Sequence, residues 1–81
     1  MKKMAFIIPP TVELLDLSGP AQVFTEAKVY GMELDMEFYQ YSDEPISTAG
    51  LGFGKLPHFN TAQLKEGDFV FVPGMDNEYV N

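Results

Sequence analysis

The chain has 81 residues and a net charge of −7, and all five of its basic residues are lysines. A chain of this length buries one modest core, and its seven phenylalanines and four tyrosines favour a folded domain over a disordered one. The acidic balance argues against direct nucleic-acid binding by this segment, and the lack of cysteine excludes disulfides, thiolate metal sites and a cysteine nucleophile within these residues.

The amino-terminal segment predicts a buried strand. Residues 4–8 (MAFII) are apolar throughout, and Pro9 and Pro10 follow, which cannot donate ladder hydrogen bonds. We expect this strand to be the central one of a parallel sheet. The same apolar run is too short for a signal peptide or a membrane span, so we expect a cytoplasmic protein with no membrane partner.

An amphipathic helix is predicted over residues 20–30. Ser18 or Gly19 can cap it, and Pro20 suits its first turn, where a missing N–H group costs nothing. Apolar residues recur at helical spacing through this stretch, and Gly31 provides a left-handed stop.

The remaining chain predicts two more strands. Residues 36–41 should run parallel to the first strand and beside it, after a right-handed crossover. Residues 46–56 predict a β-hairpin or bulged excursion with glycine at the positive-φ positions. Next we expect a helical turn capped by Asn60 or Thr61, and then a buried strand over residues 68–72. The fold class is therefore α/β, a partial three-layer flavodoxin-like parallel sheet with three core strands, one main helix and one hairpin excursion.

The small number of helices predicts self-association. Parallel strands need helices on both faces of the sheet, yet only one substantial helix is predicted. One face should therefore remain apolar, and we expect a homo-oligomer formed by edge pairing or face-to-face packing of the aromatic strands.

Asp16 is the main candidate functional residue. It lies among leucines in the loop where a strand gives way to a helix, so we expect a buried carboxylate that serves a pocket. Alternatively, it accepts hydrogen bonds from the N–H groups of an 18–20 turn or a nearby loop. Glu13 is three residues from Asp16, but in a loop this spacing does not place two side chains on one face. We therefore do not expect the paired carboxylates of a hydrolase. His58 is the only histidine and has no companion ligands, so we predict no metal site.

Three segments carry a family resemblance when taken together. They are residues 12–24 (VELLDLSGPAQVF), 46–50 (ISTAG) and 69–74 (FVFVPG). The chain resembles the ThiJ/PfpI superfamily, most closely isonitrile hydratase-like proteins and the amidase-like N-terminal domains of AraC-type transcriptional regulators, which carry a similar LLDLxGPxxVF string. The resemblance implies a flavodoxin-like, class I glutamine-amidotransferase-like fold. Residues 1–81 would form the N-terminal portion of a single such domain.

The resemblance implies roles for three residues. Asp16 matches the acidic residue that, in family members, approaches the nucleophilic cysteine and shares or stabilises its charge. Gly74 matches a glycine whose backbone N–H contributes to the oxyanion-hole region. Family members often carry a second glycine next, where this chain has Met75. The implied ligand-binding residues are thus Asp16, Gly74 and Met75, while the family's nucleophile, on a later strand-to-helix elbow, would lie beyond Asn81.

Two functional hypotheses follow from this resemblance. The preferred one is a non-catalytic ligand-sensing domain of an AraC-type transcriptional regulator, because ligand binding, unlike covalent catalysis, does not require the missing nucleophile. The alternative is the N-terminal half of an isonitrile hydratase- or amidase-like enzyme whose cysteine lies beyond residue 81. A third is an interaction module without a pocket. We expect a small-molecule ligand and no cofactor.

Overall fold

The structure is a computed structural model, and it describes residues 1–75. Its elements are β1 (Lys2–Ile8), α1 (Leu14–Val29), β2 (Leu34–Gln40), a short 3-10 helix (Phe59–Thr61) and β3 (Phe69–Phe71). The strands form one sheet in the order β2-β1-β3, and both pairings are parallel. The predicted α/β class is confirmed, as a partial flavodoxin-like arrangement with β1 at its centre.

The core lies between α1 and one face of the sheet. In the parallel register, Lys2 of β1 pairs with Leu34 and Ile8 with Gln40, so the even-numbered residues of both strands share the face that α1 covers. On β3 the same face carries Phe69 and Phe71, because Met4 pairs with Phe69. The buried members of this core are Met4, Phe6, Ile8, Val12, Leu17 and Leu34.

Helix α1 begins six residues before the predicted start. Its N-cap is Glu13, which makes no side-chain capping bond, and Pro20 lies inside the helix rather than in its first turn. The predicted cap at Ser18 or Gly19 is therefore wrong. The helix ends as expected, since Gly31 follows with a φ of 106°. Within residues 1–75, no helical segment combines the length and the apolar character that crossing a membrane requires.

The sheet face opposite α1 is only partly apolar, contrary to the prediction. Near the start of β1, Lys3 lies on this face, and its Nζ is 3.3 Å from Glu37 Oε1 and donates to the carbonyl of Gln63 at 2.9 Å. The hydroxyl of Tyr39 donates to the same Glu37 carboxylate. At the other end lies an apolar groove of about 400 Å³, lined by Ile7, Pro9, Tyr41, Phe59, Val72 and Met75.

The contact between Tyr39 and Glu37 predicts that stability depends on pH. The hydrogen bond to Glu37, together with burial, raises the pKa of Tyr39 from 10.0 to about 12, and the same bond lowers the pKa of Glu37. The contribution of Tyr39 to stability is therefore complete below pH 10 and is lost as the pH rises through about 12. Tyrosine Cζ NMR shifts measured against pH should show this, and Glu37→Gln should lower the pKa of Tyr39. A Tyr39 titration near pH 10 in the unsubstituted chain would contradict the contact.

The second half of the chain is less regular than predicted. The hairpin reduces to one antiparallel bridge between Ile46 and Gly52. Strand β3 spans three residues instead of five, and it is not buried, because Phe69 and Val70 are 48% and 51% exposed. The 3-10 helix is capped by His58, whose Nδ1 accepts from the N–H of Asn60 at 3.2 Å, so the predicted cap at residue 60 or 61 is wrong.

Candidate functional site

The candidate site lies at the carboxyl ends of β1 and β3, where three segments meet. The N–H of Glu13 donates to the carbonyl of Gly74 at 2.8 Å, and the N–H of Thr48 donates to the carbonyl of Val12 at 2.9 Å. Val12 also forms an antiparallel bridge with Met75. Open α/β sheets bind ligands at the carboxyl ends of their strands. The backbone hydrogen bonds hold the segments around residues 12–13, 48 and 74–75 together at these strand ends.

Asp16 and Gly74, which the sequence assigns to one site, are in contact. A Cβ built on Gly74 would lie 2.5 Å from Asp16 Oδ2, closer than any real side chain could come. Glycine at this position therefore leaves room for the carboxylate. No positive φ is found at Gly74, so the effect of a side chain here would come from the close approach of the carboxylate and not from the backbone conformation.

The surroundings of Asp16 differ from the prediction in two ways. Asp16 lies in the first turn of α1 and not in a loop, and its side chain is exposed rather than buried. The alternative in which residues 18–20 form a turn around it is also wrong, because those residues are helical. A carboxylate in the first turn is favoured by the unpaired N–H groups and positive dipole end of a helix.

Met75 lies on a different surface from Asp16. It is half-buried and lines the apolar groove, together with Val72 and residues from β1 and the 3-10 helix region. The structure thus brings together two of the three predicted ligand-binding residues and assigns the third to the groove.

Two further residues of the site were not predicted. The hydroxyl of Thr48 donates to Glu13 Oε2 at 3.1 Å, and this bond ties the 46–52 excursion to the residue before α1. Thr48 belongs to the ISTAG segment, which entered only through the family resemblance. Nothing in local spacing indicates that residues 13 and 48 meet, because 35 residues separate them.

The site offers hydrogen-bond acceptors rather than a nucleophile. Asp16 and Glu13 supply carboxylates, Thr48 supplies a hydroxyl, and the 81 residues contain no cysteine. Such a set can bind the N–H or O–H groups of a small polar ligand. The fold and site together define a partial flavodoxin-like α/β unit with an acidic site at the carboxyl edge of its sheet. Comparisons with family models, with curated proteins and with solved structures found no match to this chain.

Proposed function

We propose that this chain is the N-terminal portion of a ThiJ/PfpI-like domain and that Asp16 and Gly74 form one wall of a small-molecule pocket. The observation that supports it is the approach of the Asp16 carboxylate to Gly74, at the strand ends where this fold binds ligands. The ThiJ/PfpI-like strings in the sequence supply those same two residues. Any other side chain at residue 74 would displace the carboxylate.

The favoured role is ligand sensing for an AraC-type transcriptional regulator in the cytoplasm. Covalent catalysis in this family requires a cysteine, and none is present in these 81 residues. A sensor needs only the acceptors and a shaped cavity. The net charge of −7 also suits a domain that leaves DNA contacts to another segment.

The alternative role is the amino-terminal half of an isonitrile hydratase- or amidase-like enzyme. It is favoured by the exposure of Asp16, since a cysteine from another segment could reach an exposed carboxylate at a helix start. The mass and sequence of the natively expressed protein separate the two roles. A basic helix-turn-helix segment downstream supports the regulator, and a cysteine elbow that completes the site supports the enzyme.

Ligand binding is tested directly with two small probes, acetamide and N-cyclohexylformamide, which both carry an N–H group that the acceptors of the site can bind. Titrated into the ¹⁵N-labelled chain, at least one probe should shift the amide resonances of residues 13–17 and Gly74. Asp16→Asn removes the charge of the acceptor, and Gly74→Ala displaces the carboxylate. Each should weaken that binding roughly tenfold, since hydrogen bonds to charged groups are stronger than those to neutral groups. Glu26→Gln is the matched control, because Glu26 is an exposed acid on the same helix that bonds to Gln22.

The same titration can overturn the proposal. Equal binding by Asp16→Asn and the unsubstituted chain would show that Asp16 does not contact the ligand. Shifts confined to the apolar groove would place the ligand on the other face of the sheet. Gly74→Ala should remain folded, since the displaced atom is the end of an exposed side chain, and its circular dichroism spectrum checks this.

A further inference from the structure

An apolar cleft lies between α1 and β2, on the helix-covered face of the sheet. Its deeper half has a volume of about 330 Å³ and adjoins the first half of α1, and its more open half adjoins the second half of the helix. Phe38 of β2 lines both halves, so we treat them as one surface, the α1–β2 cleft. In the deeper half, α1 and the loop after β2 face each other across the sheet, with Leu14, Ser18, Ala21, Phe38, Phe53 and Leu56 among the lining residues.

The α1–β2 cleft lies at the side of the sheet where a flavodoxin-like domain adds no further strands. The observed order is β2-β1-β3, which matches the first three strands of the flavodoxin-like order 2-1-3-4-5. In that order the later strands are added beyond β3, and β2 stays outermost. The cleft is therefore expected in a longer domain of this kind as well.

We propose that the α1–β2 cleft binds a free medium-chain carboxylate, with the aliphatic chain along the apolar lining and the carboxylate at Lys28. Lys28 belongs to the last turn of α1 and lines the open half of the cleft with Thr25, Val29 and Met36. Within residues 1–75, it is the only charged residue that lines either half. Apolar walls with a single cation at one end complement an amphiphile with a single anionic head.

The length and the exposure of the cleft define the ligand further. Ser18 and Lys28 are separated along α1 by about 15 Å, at a rise of about 1.5 Å per residue, and an extended medium-chain carboxylate spans a similar distance. Phe38 is 36% exposed and Val29 is 72% exposed. An aliphatic chain that covers these side chains removes apolar surface from water, and it desolvates no acidic group among the lining residues.

The α1–β2 cleft and the Asp16 site lie on different sides of α1. Successive residues of a helix are turned by about 100°, so Asp16 is turned by about 200° from both Leu14 and Ser18. Leu14 and Ser18 line the cleft, and Asp16 approaches Gly74. The proposed carboxylate site is thus independent of the ligand proposed for Asp16, and each can be tested without the other.

The first test is a titration of decanoate into the ¹⁵N-labelled 81-residue chain, below the concentration at which decanoate forms micelles. We expect saturable shifts of the amide resonances of Ser18, Lys28, Phe38 and Leu56. Each CH₂ group removed, from decanoate to octanoate, should weaken binding by roughly two- to fourfold, since that group is buried in the cleft. Shifts centred on the apolar groove of the other sheet face, shifts that begin only when micelles form, or an affinity independent of chain length would overturn the proposal.

The second test fills part of the cleft. Ser18→Phe adds a ring to the lining of the deeper half and should weaken decanoate binding roughly tenfold, the effect of excluding about two CH₂ groups of the chain. Gln22→Phe is the matched control, because Gln22 is exposed on the same helix and lines neither half of the cleft. A Ser18→Phe variant that binds decanoate as tightly as Gln22→Phe does would contradict the proposed site.

The third test concerns the carboxylate and does not depend on how Ser18→Phe folds. Lys28→Gln should weaken the binding of decanoate by roughly two- to fivefold, the range of an exposed ion pair, and leave the binding of 1-decanol unchanged. Lys55→Gln is the control, because Lys55 is an exposed lysine that lines neither half of the cleft. Equal losses for decanoate and 1-decanol, or no loss for either, would show that the carboxylate does not bind at Lys28.

Discussion

Phe6→Ala should lower the free energy of unfolding by about 3–5 kcal/mol. Phe6 is fully buried at the centre of β1, and its ring centroid lies 5.0 Å from that of Phe38 and 5.5 Å from that of Phe71. Truncating a buried phenylalanine costs about 3–5 kcal/mol, from lost burial and the cavity left behind. A domain of this size has a free energy of unfolding of only about 4–12 kcal/mol. The substitution therefore removes a large share of the stability.

Urea denaturation followed by far-ultraviolet circular dichroism measures this loss. Phe6→Leu fills part of the cavity and should give an intermediate midpoint, which keeps the comparison measurable if Phe6→Ala does not fold. Val29→Ala is the control, because Val29 is 72% exposed on α1 and its truncation should change stability by less than about 0.5 kcal/mol. If Phe6→Ala and Val29→Ala had the same midpoint, the core described here would be wrong.

Pro20→Ala should stabilise the protein. Pro20 lies inside α1, where it has no N–H to donate to the carbonyl of Asp16 four residues earlier and where its ring crowds that carbonyl. Such a proline costs a helix about 3 kcal/mol, while alanine gives the unfolded chain extra freedom worth up to about 1 kcal/mol. The net gain is about 2 kcal/mol, which corresponds to a rise in Tm of roughly 10 °C.

The loop proline Pro57 provides the control for this substitution. Pro57 is exposed and lies outside helices and strands, so Pro57→Ala should lower stability by up to about 1 kcal/mol through the unfolded state alone. The two alanine substitutions thus have opposite expected signs in the same thermal unfolding experiment. A Pro20→Ala variant with unchanged or lower Tm would show that the proline ring contributes more by packing than it costs the helix.

Pro20 also bears on the candidate site. A stability cost retained next to a functional residue is common where the site needs a particular backbone shape. Restoring the bond to the Asp16 carbonyl should shift the first turn of α1 relative to Gly74. We therefore expect Pro20→Ala to bind the probes described above more weakly, although it is more stable.

The central strand and the crossover were predictable from local sequence. An apolar run bounded by two prolines can only be a strand covered on both faces or a short buried helix, and its five residues favour the strand. The helical pattern ends at Gly31, and an alternating aromatic run follows it. Together they predict a second strand that is parallel to β1 and beside it. Each signal lies within a few residues of the element it predicts, and each of those elements is observed.

The start of α1 was not predictable in the same way. The sequence offers capping residues only at Ser18 and Gly19, whereas the helix begins at Leu14 behind an N-cap without a side-chain bond. The start depends on Glu13, whose N–H bonds to Gly74, 61 residues later in a chain of 81. A long-range backbone contact therefore holds the residue that precedes α1, although it supplies no cap for the N–H groups of the first turn.

The sequence by itself determined the kind of protein: an acidic α/β domain with a central apolar strand, one crossover helix, and Asp16 and Gly74 as candidate site residues. Tertiary structure alone decided where α1 begins, that Asp16 is exposed, that Thr48 contacts Glu13, and that β3 is short and exposed. The physical reason is the range of the interactions. Apolar periodicity and glycine or proline stops act between near neighbours, whereas these four features depend on contacts between segments that only folding brings together.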